Sequence, residues 1–226
     1  MTERISAAEH SKRSRLSTIL LGLVLAFLFI VPALPLGSHR LVYNTLLTII
    51  LVFAALSMDR ERKKMFFVAV LAIVFEWIAY FLDLSVILTL SQIVLFLYFI
   101  LVVIGLIIQV AITEKVTARV IVESITGYLL MGIVFSMIIM VIYRNYPASY
   151  SMGGVVGSAA DPGWQLNESI YYGFVTFTTL GYGDIVPSTP FTRSLSILAS
   201  VTGQIYLTVI IAMLVGKFLS KRQEGR

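Results

Sequence analysis

The chain has 226 residues, 58% of them hydrophobic and 13% charged, with a formal net charge of +5 and no cysteine. Soluble domains carry about 25% charged residues, so an ordinary water-soluble core is excluded, and so are disulfides, thiolate metal sites and cysteine nucleophiles. His10 and His39 lie far apart in the chain, and each reads as a solvated surface histidine rather than a metal ligand or catalytic base.

In chain order, residues 1–15 are polar and basic, with Arg4, Lys12, Arg13 and Arg15, and form a cytoplasmic N-terminal segment. The first apolar block, Leu16 to Leu36, is longer than a signal-peptide core, and five more follow, so it reads as a spanning helix ended by Pro32 and Pro35. A second block, Leu41 to Met58, stops at the charged run from Asp59 to Lys64. A third runs from Met65 to about Leu82, and a short connection around Asp83 and Ser85 leads to a fourth ending near Ile112. Residues 113–124 contain Glu114, Lys115, Arg119 and Glu123, with Val116, Val120 and Ile121 at helical spacing. This pattern predicts a linker helix lying along the cytoplasmic membrane surface.

A pore-like unit is expected over 125–219. It has a fifth span from about Ile125 to Tyr143, then a Gly-, Ser- and Pro-containing loop, and then a segment, Asn167 to Asp184, too broken by glycine to span. A last long helix covers Phe191 to Leu219, followed by a tail over 220–226. With the amino terminus inside, Arg40, Arg144 and Arg193 fall outside and the other basic residues fall in the cytoplasm. That asymmetry supports six spans with both termini cytoplasmic, and it assigns the net positive charge to topology rather than to nucleic acid. The fold class is an all-α membrane protein: six spanning helices plus a re-entrant pore helix.

Between the fifth and sixth spans, non-helical backbone at membrane depth is tolerated only where it is buried in protein or lines a watery cavity. A half-helix capped by Asn167, with Glu168 in its first turn, followed by an extended return, meets that condition. In the return, Gly181 and Gly183 allow the unusual backbone angles that make consecutive carbonyls face one way. Four such strands around an axis would stack rings of carbonyl oxygens that replace a cation's hydration shell, and one chain carries one strand, so a tetramer is required.

The stretch Thr178-Thr179-Leu180-Gly181-Tyr182-Gly183-Asp184 resembles the selectivity filter of the potassium channel superfamily, commonly TTVGYGD, with Leu180 the one departure. Helix, re-entrant helix, filter and inner helix also follow one another in that family's order. The resemblance implies that Thr179, Leu180, Gly181 and Tyr182 bind K+ through their carbonyls, that Gly183 extends the carbonyl row, and that the Thr179 hydroxyl faces the cavity. It implies filter support from Tyr171, hydrogen-bonded to Asp184, and from Tyr172, braced on Tyr182, with simple packing of both tyrosines on lipid or protein as the equal alternative. Val175 stands where some members have a glutamate. Gly203 is the gating-hinge candidate, with close helix packing as the equal alternative.

The first four helices, 16–112, are similar to a voltage-sensing domain, but from Leu84 to Ile112 there is no basic residue. A charge crossing the field is worth about 2.3 kcal/mol per 100 mV, so little intrinsic voltage sensitivity is expected. Glu76 reads as a buried acid with hydroxyl partners such as Tyr80 or Thr89, or as a proton sensor, and Asp83 as a solvated group near the outer interface. The expected partners are K+, the lipid bilayer of the cell membrane, three further copies of the chain and an unidentified regulatory partner. No cofactor and no enzymatic activity are expected. The alternatives are a non-conducting or regulatory subunit of a hetero-tetrameric channel, and a potassium transporter subunit.

Overall fold

The computed structural model describes residues 2–33, 39–58, 62–82, 85–113, 116–152 and 162–224. Among them are seven α-helices: α1 (Thr2–Ile30), α2 (His39–Ser57), α3 (Arg62–Leu82), α4 (Ser85–Ile112), α5 (Ala118–Asn145), α6 (Pro162–Phe177) and α7 (Pro190–Glu224). Two short strands, β1 (Tyr150–Met152) and β2 (Ile185–Pro187), pair antiparallel with Ser151 opposite Val186. Among the described residues four stretches are long and apolar enough to cross a membrane: Arg13–Ile30, Ile93–Ile112, Ala118–Asn145 and Pro190–Leu219. Leu41–Ser57 is apolar but shorter. The 16 residues of α6 reach only about 24 Å at 1.5 Å per residue, short of a ~30 Å hydrocarbon core.

Helices adjacent in sequence pack side by side from α1 to α5, and α1 returns to lie against α5 as well. One buried cluster joins Leu20, Val24 and Phe27 of α1 to Leu47 and Leu51 of α2, to Tyr98, Val102 and Leu106 of α4, and to Leu130 and Ile133 of α5. In a bilayer, close packing and interhelical hydrogen bonds hold helices together where soluble proteins use the hydrophobic effect. The Tyr98 hydroxyl accordingly donates to the Leu51 carbonyl at 2.7 Å, and Trp77 Nε1 donates to Thr48 Oγ1 at 3.1 Å. α5 also packs against α6 and α7, so it joins the first four helices to the rest of the chain.

Several boundaries differ from the sequence expectation. α1 starts at Thr2 rather than Leu16, because its polar first turns are built from good helix formers. It ends at Ile30 in a short 3-10 turn, Val31–Ala33, that contains Pro32. Of the surface helix expected over 113–124, residues 118–124 belong to α5 instead. Thr117 caps α5, its hydroxyl accepting from Val120 N at 3.4 Å, and residues 118–124 are the first turns of α5. Glu123 is therefore buried, 2% exposed. Its Oε1 accepts from Arg119 Nε at 2.6 Å and from Ser17 Oγ of α1 at 2.8 Å. Residues 34–38, 59–61, 83–84, 114–115 and 153–161, and the side chains of His10, His39, Tyr80 and Thr89, lie outside the described residues; the expectations made for His10, His39, Asp83 and the partners of Glu76 fall there. Glu76 itself is buried on α3.

Removing one member of a buried ion pair leaves the other charge uncompensated, at a cost of about 3–5 kcal/mol. Arg119→Met is expected to lower the heat stability of the purified protein by that order, whereas the double change Arg119→Met/Glu123→Met recovers most of it. Thermal unfolding followed by size-exclusion chromatography checks both.

Candidate functional site

α6 enters the protein from the β1 side and stops at Phe177. Its first residue is Pro162 rather than Asn167, since proline at the first helical position loses no internal hydrogen bond. Asn167 is thus inside the helix and not its cap; its Nδ2 donates to the Pro32 carbonyl at 3.4 Å, tying α6 to the turn after α1. Glu168 likewise sits beyond the first turn.

From Thr178 the chain leaves the helix. Positive φ occurs at Thr179 (62°), Gly181 (59°) and Gly183 (80°), and at no other residue among those described. Left-handed backbone at every second residue lets successive carbonyls face one side. The two glycines carry this without strain. Thr179 does not: a β-branched residue at positive φ costs on the order of 1–3 kcal/mol and persists only where its surroundings over-determine it. The sequence reading finds the two glycines and misses the threonine, whose only signal is its place two residues ahead of Gly181.

The end of α6 holds this segment through its own free carbonyls. Leu180 N and Gly181 N both donate to Val175 O, at 2.9 and 3.2 Å, and Thr179 N donates to Thr176 O at 3.0 Å. Thr178 N and Oγ1 both reach Phe174 O, at 2.9 and 2.7 Å. Val175 therefore acts here through its backbone. The side chains of Leu180 (55% exposed) and Tyr182 (67% exposed) project away from the subunit.

At the outer end the Tyr171 hydroxyl donates to Asp184 Oδ2, and Ile185 N donates to Asp184 Oδ1 at 3.0 Å. The Tyr171 hydroxyl holds the Asp184 carboxyl below the usual carboxylate range, while the bond to Asp184 pushes the Tyr171 pKa up to about 12. Burial first and the Asp184 charge second push the Glu168 carboxyl up. Tyr172 does not brace Tyr182 within the subunit. Its hydroxyl is 2.7 Å from Ser196 Oγ of α7, and its ring meets Tyr150 edge-on at 5.3 Å, because the β1–β2 pair brings Tyr150 over it.

α7 is fixed against this assembly along its length. Thr189 and Thr192 exchange backbone-to-hydroxyl bonds of 3.2 Å around Pro190, a reciprocal cap at the helix start. Thr192 Oγ1 also donates to Ser149 O at 3.0 Å. Deeper, a Cβ at Gly203 would overlap the Phe177 carbonyl oxygen. Close approach of the two backbones thus supplies a packing reason for this glycine, the alternative held equal to a hinge, and α7 is one continuous helix through it. The Tyr206 hydroxyl donates to Ser124 O of α5 at 2.9 Å. At the far end Lys217 Nζ donates to the carbonyls of Val110, Ala111 and Thr113 at 2.8, 2.8 and 2.7 Å. These are orphan carbonyls at the C-terminus of α4, where a cation also meets the negative end of the helix dipole. The sequence signal is Lys217 itself, a lone charge between Ser194 and Ser220, but its partner lies about a hundred residues earlier.

Two outcomes follow from this geometry. Gly203→Ala is expected to cost about 1–3 kcal/mol, as overpacking does, and to lower the unfolding temperature more than Gly216→Ala, whose Cβ would meet nothing within 4 Å; thermal unfolding of both variants checks it. For Asp184, a depressed folded pKa means that its hold on the outer segment persists above the usual carboxylate range and is lost only as pH falls through the lowered value. Tyr171→Phe returns that carboxyl toward its ordinary range, so acid-induced loss of folded structure should begin at a higher pH than in wild type. An acid titration of the purified protein followed by tyrosine fluorescence reads the shift.

Residues 146–221 match the family described as "Ion channel"; the match spans α6, the Thr178–Asp184 segment and most of α7. Over 58 residues the chain is 40% identical to "Two-pore potassium channel 4" of Arabidopsis thaliana, covering 26% of this chain and 20% of that protein. Over 97 residues it is 28% identical to "Two pore potassium channel c" of Oryza sativa subsp. japonica, covering 43% of this chain and 18% of that protein. The chain thus matches only about a fifth of the length of these curated relatives. Over part of its length the chain is thus similar to an ion channel family and to two proteins named as potassium channels.

Proposed function

We propose that this chain is one subunit of a homotetrameric, potassium-selective channel that conducts K+ passively across the cell membrane. In this reading there are six spanning helices, α1–α5 and α7, α6 is the re-entrant pore helix, and both termini are cytoplasmic. The observation that carries the reading is the left-handed backbone at Thr179, Gly181 and Gly183, pinned from behind by the Val175 carbonyl. Backbone of this kind presents the carbonyls of Thr179, Leu180, Gly181 and Tyr182 as a row, and four rows around an axis replace the hydration shell of K+. The exposed side chains of Leu180 and Tyr182 are surface that neighbouring subunits would cover. The apolar residues that α7 leaves exposed, among them Ile197, Val201, Ile205 and Val209, are surface that lipid or neighbouring subunits would cover in this assembly. The relatives named as potassium channels agree with the ion chosen.

α4 carries no basic residue, so the first four helices supply no gating charge from the position where voltage sensing needs it. Their role in this reading is to buttress α5 and, through Lys217, the inner end of α7.

Purified protein reconstituted into liposomes with a potassium gradient tests the proposal. K+ flux is expected, with permeability at least about tenfold above that of Na+, corresponding to ~1.4 kcal/mol, and with only shallow dependence on membrane potential. Equal K+ and Na+ permeability, or flux only after addition of a second channel subunit, would overturn it.

A further inference from the structure

Along α7 every fourth residue from Thr192 to Thr208 is polar: Thr192, Ser196, Ser200, Gln204 and Thr208. Such residues in an apolar helix are expensive unless they meet protein or a watery cavity. An i, i+4 row drifts around the helix, and the burial follows that drift: Thr192 is buried, Ser196 and Ser200 are half-buried, and Gln204 and Thr208 are exposed. Three of them engage the re-entrant segment in register. Ser196 Oγ meets the Tyr172 hydroxyl at 2.7 Å, Ser200 Oγ donates to the Thr176 carbonyl at 2.9 Å, and Gln204 Nε2 donates to Thr179 Oγ1 at 3.2 Å. The last rung reaches a side-chain oxygen rather than backbone or aromatic support, and it reaches the residue with the strained φ.

We propose that Gln204 is a positioning residue for the innermost ion site, fixing the Thr179 hydroxyl so that a lone pair, not the proton, faces the ion. This rests on the channel reading above. A hydroxyl has one proton and two lone pairs. The amide of Gln204 occupies one lone pair, which restricts the rotor and leaves the other for a cation on the axis. Thr178, one residue earlier, is tied instead to Phe174 O by its own hydroxyl, so Thr179 is the threonine left for this role. The same bond helps to over-determine a β-branched residue at positive φ. In a tetramer four carboxamides would ring the cavity directly below the filter, each with its amide nitrogen toward the threonine.

Block by internal barium, a dication of nearly potassium size, reports on that site. In liposomes or planar bilayers, Gln204→Leu is expected to weaken internal barium block about tenfold relative to wild type. The same change is expected to have no further effect once the hydroxyl is absent, in Thr179→Ala, but to retain its effect in Thr179→Ser. Gln204→Asn and Gln204→His, which keep an N–H donor on side chains of different reach, serve as rescue variants, and one of them should restore part of the block. Unchanged barium block in Gln204→Leu, or an equal effect with and without the hydroxyl, overturns the inference while leaving the channel reading intact. If wild type itself passes Na+ as readily as K+, the channel reading fails first. Should Gln204→Leu fail to assemble, the cycle is run with Gln204→Met, a side chain of similar length without the donor, where additivity with Thr179→Ala overturns the inference and coupling between the two changes supports it.

Discussion

Three left-handed residues in alternation have no reason to exist in an isolated chain, and one of them is a threonine that resists the conformation. What holds them is the abrupt end of α6. A helix terminus leaves its last carbonyls without internal partners, and here Phe174, Val175 and Thr176 spend those carbonyls on the backbone N–H groups of Thr178 to Gly181. The helix and the extended segment are therefore one hydrogen-bonded object. Asp184 on Tyr171 closes this object at one end, and Gln204 on Thr179 ties its other end to α7.

α7 links this object to the rest of the chain. It touches α6 through Ser200, the segment after α6 through Gln204, α5 through Tyr206, and the end of α4 through the three-carbonyl contact of Lys217. A displacement of the first four helices relative to α5 has a direct route to the inner end of α7, since α4 and α7 share a cation-capped helix terminus. The Glu123 cluster makes a comparable joint between α1 and the start of α5. The short β1–β2 pair and the Thr189–Thr192 cap brace the other end of α7.

Much of this is legible in the sequence because it is encoded locally. The apolar blocks mark the long helices, the two glycines mark two of the three positive-φ positions, and Tyr171 and Asp184 are near enough in sequence for their bond to be anticipated. The misses share a cause. Thr117 and Pro162 move two helix starts, and with them Glu123 goes from an expected surface linker to the interior of the fold and Asn167 from a cap to a helix interior. Within one subunit Tyr172 pairs with Ser196 and Tyr150, partners supplied by α7 and by a strand too short to announce itself. Lys217, Gln204 and Ser17 act across separations that carry no periodic signal.

The central claim is that four copies of this segment form a row of oxygen cages for a dehydrated monovalent cation. The most direct measurement is an experimental structure of the purified protein in thallium or rubidium salts, with the ion located by anomalous scattering. The account predicts a four-copy ring with ion peaks on its axis, between the carbonyl planes of Thr179, Leu180, Gly181 and Tyr182. A monomer, or a ring whose axis holds no ion between those planes, would contradict it.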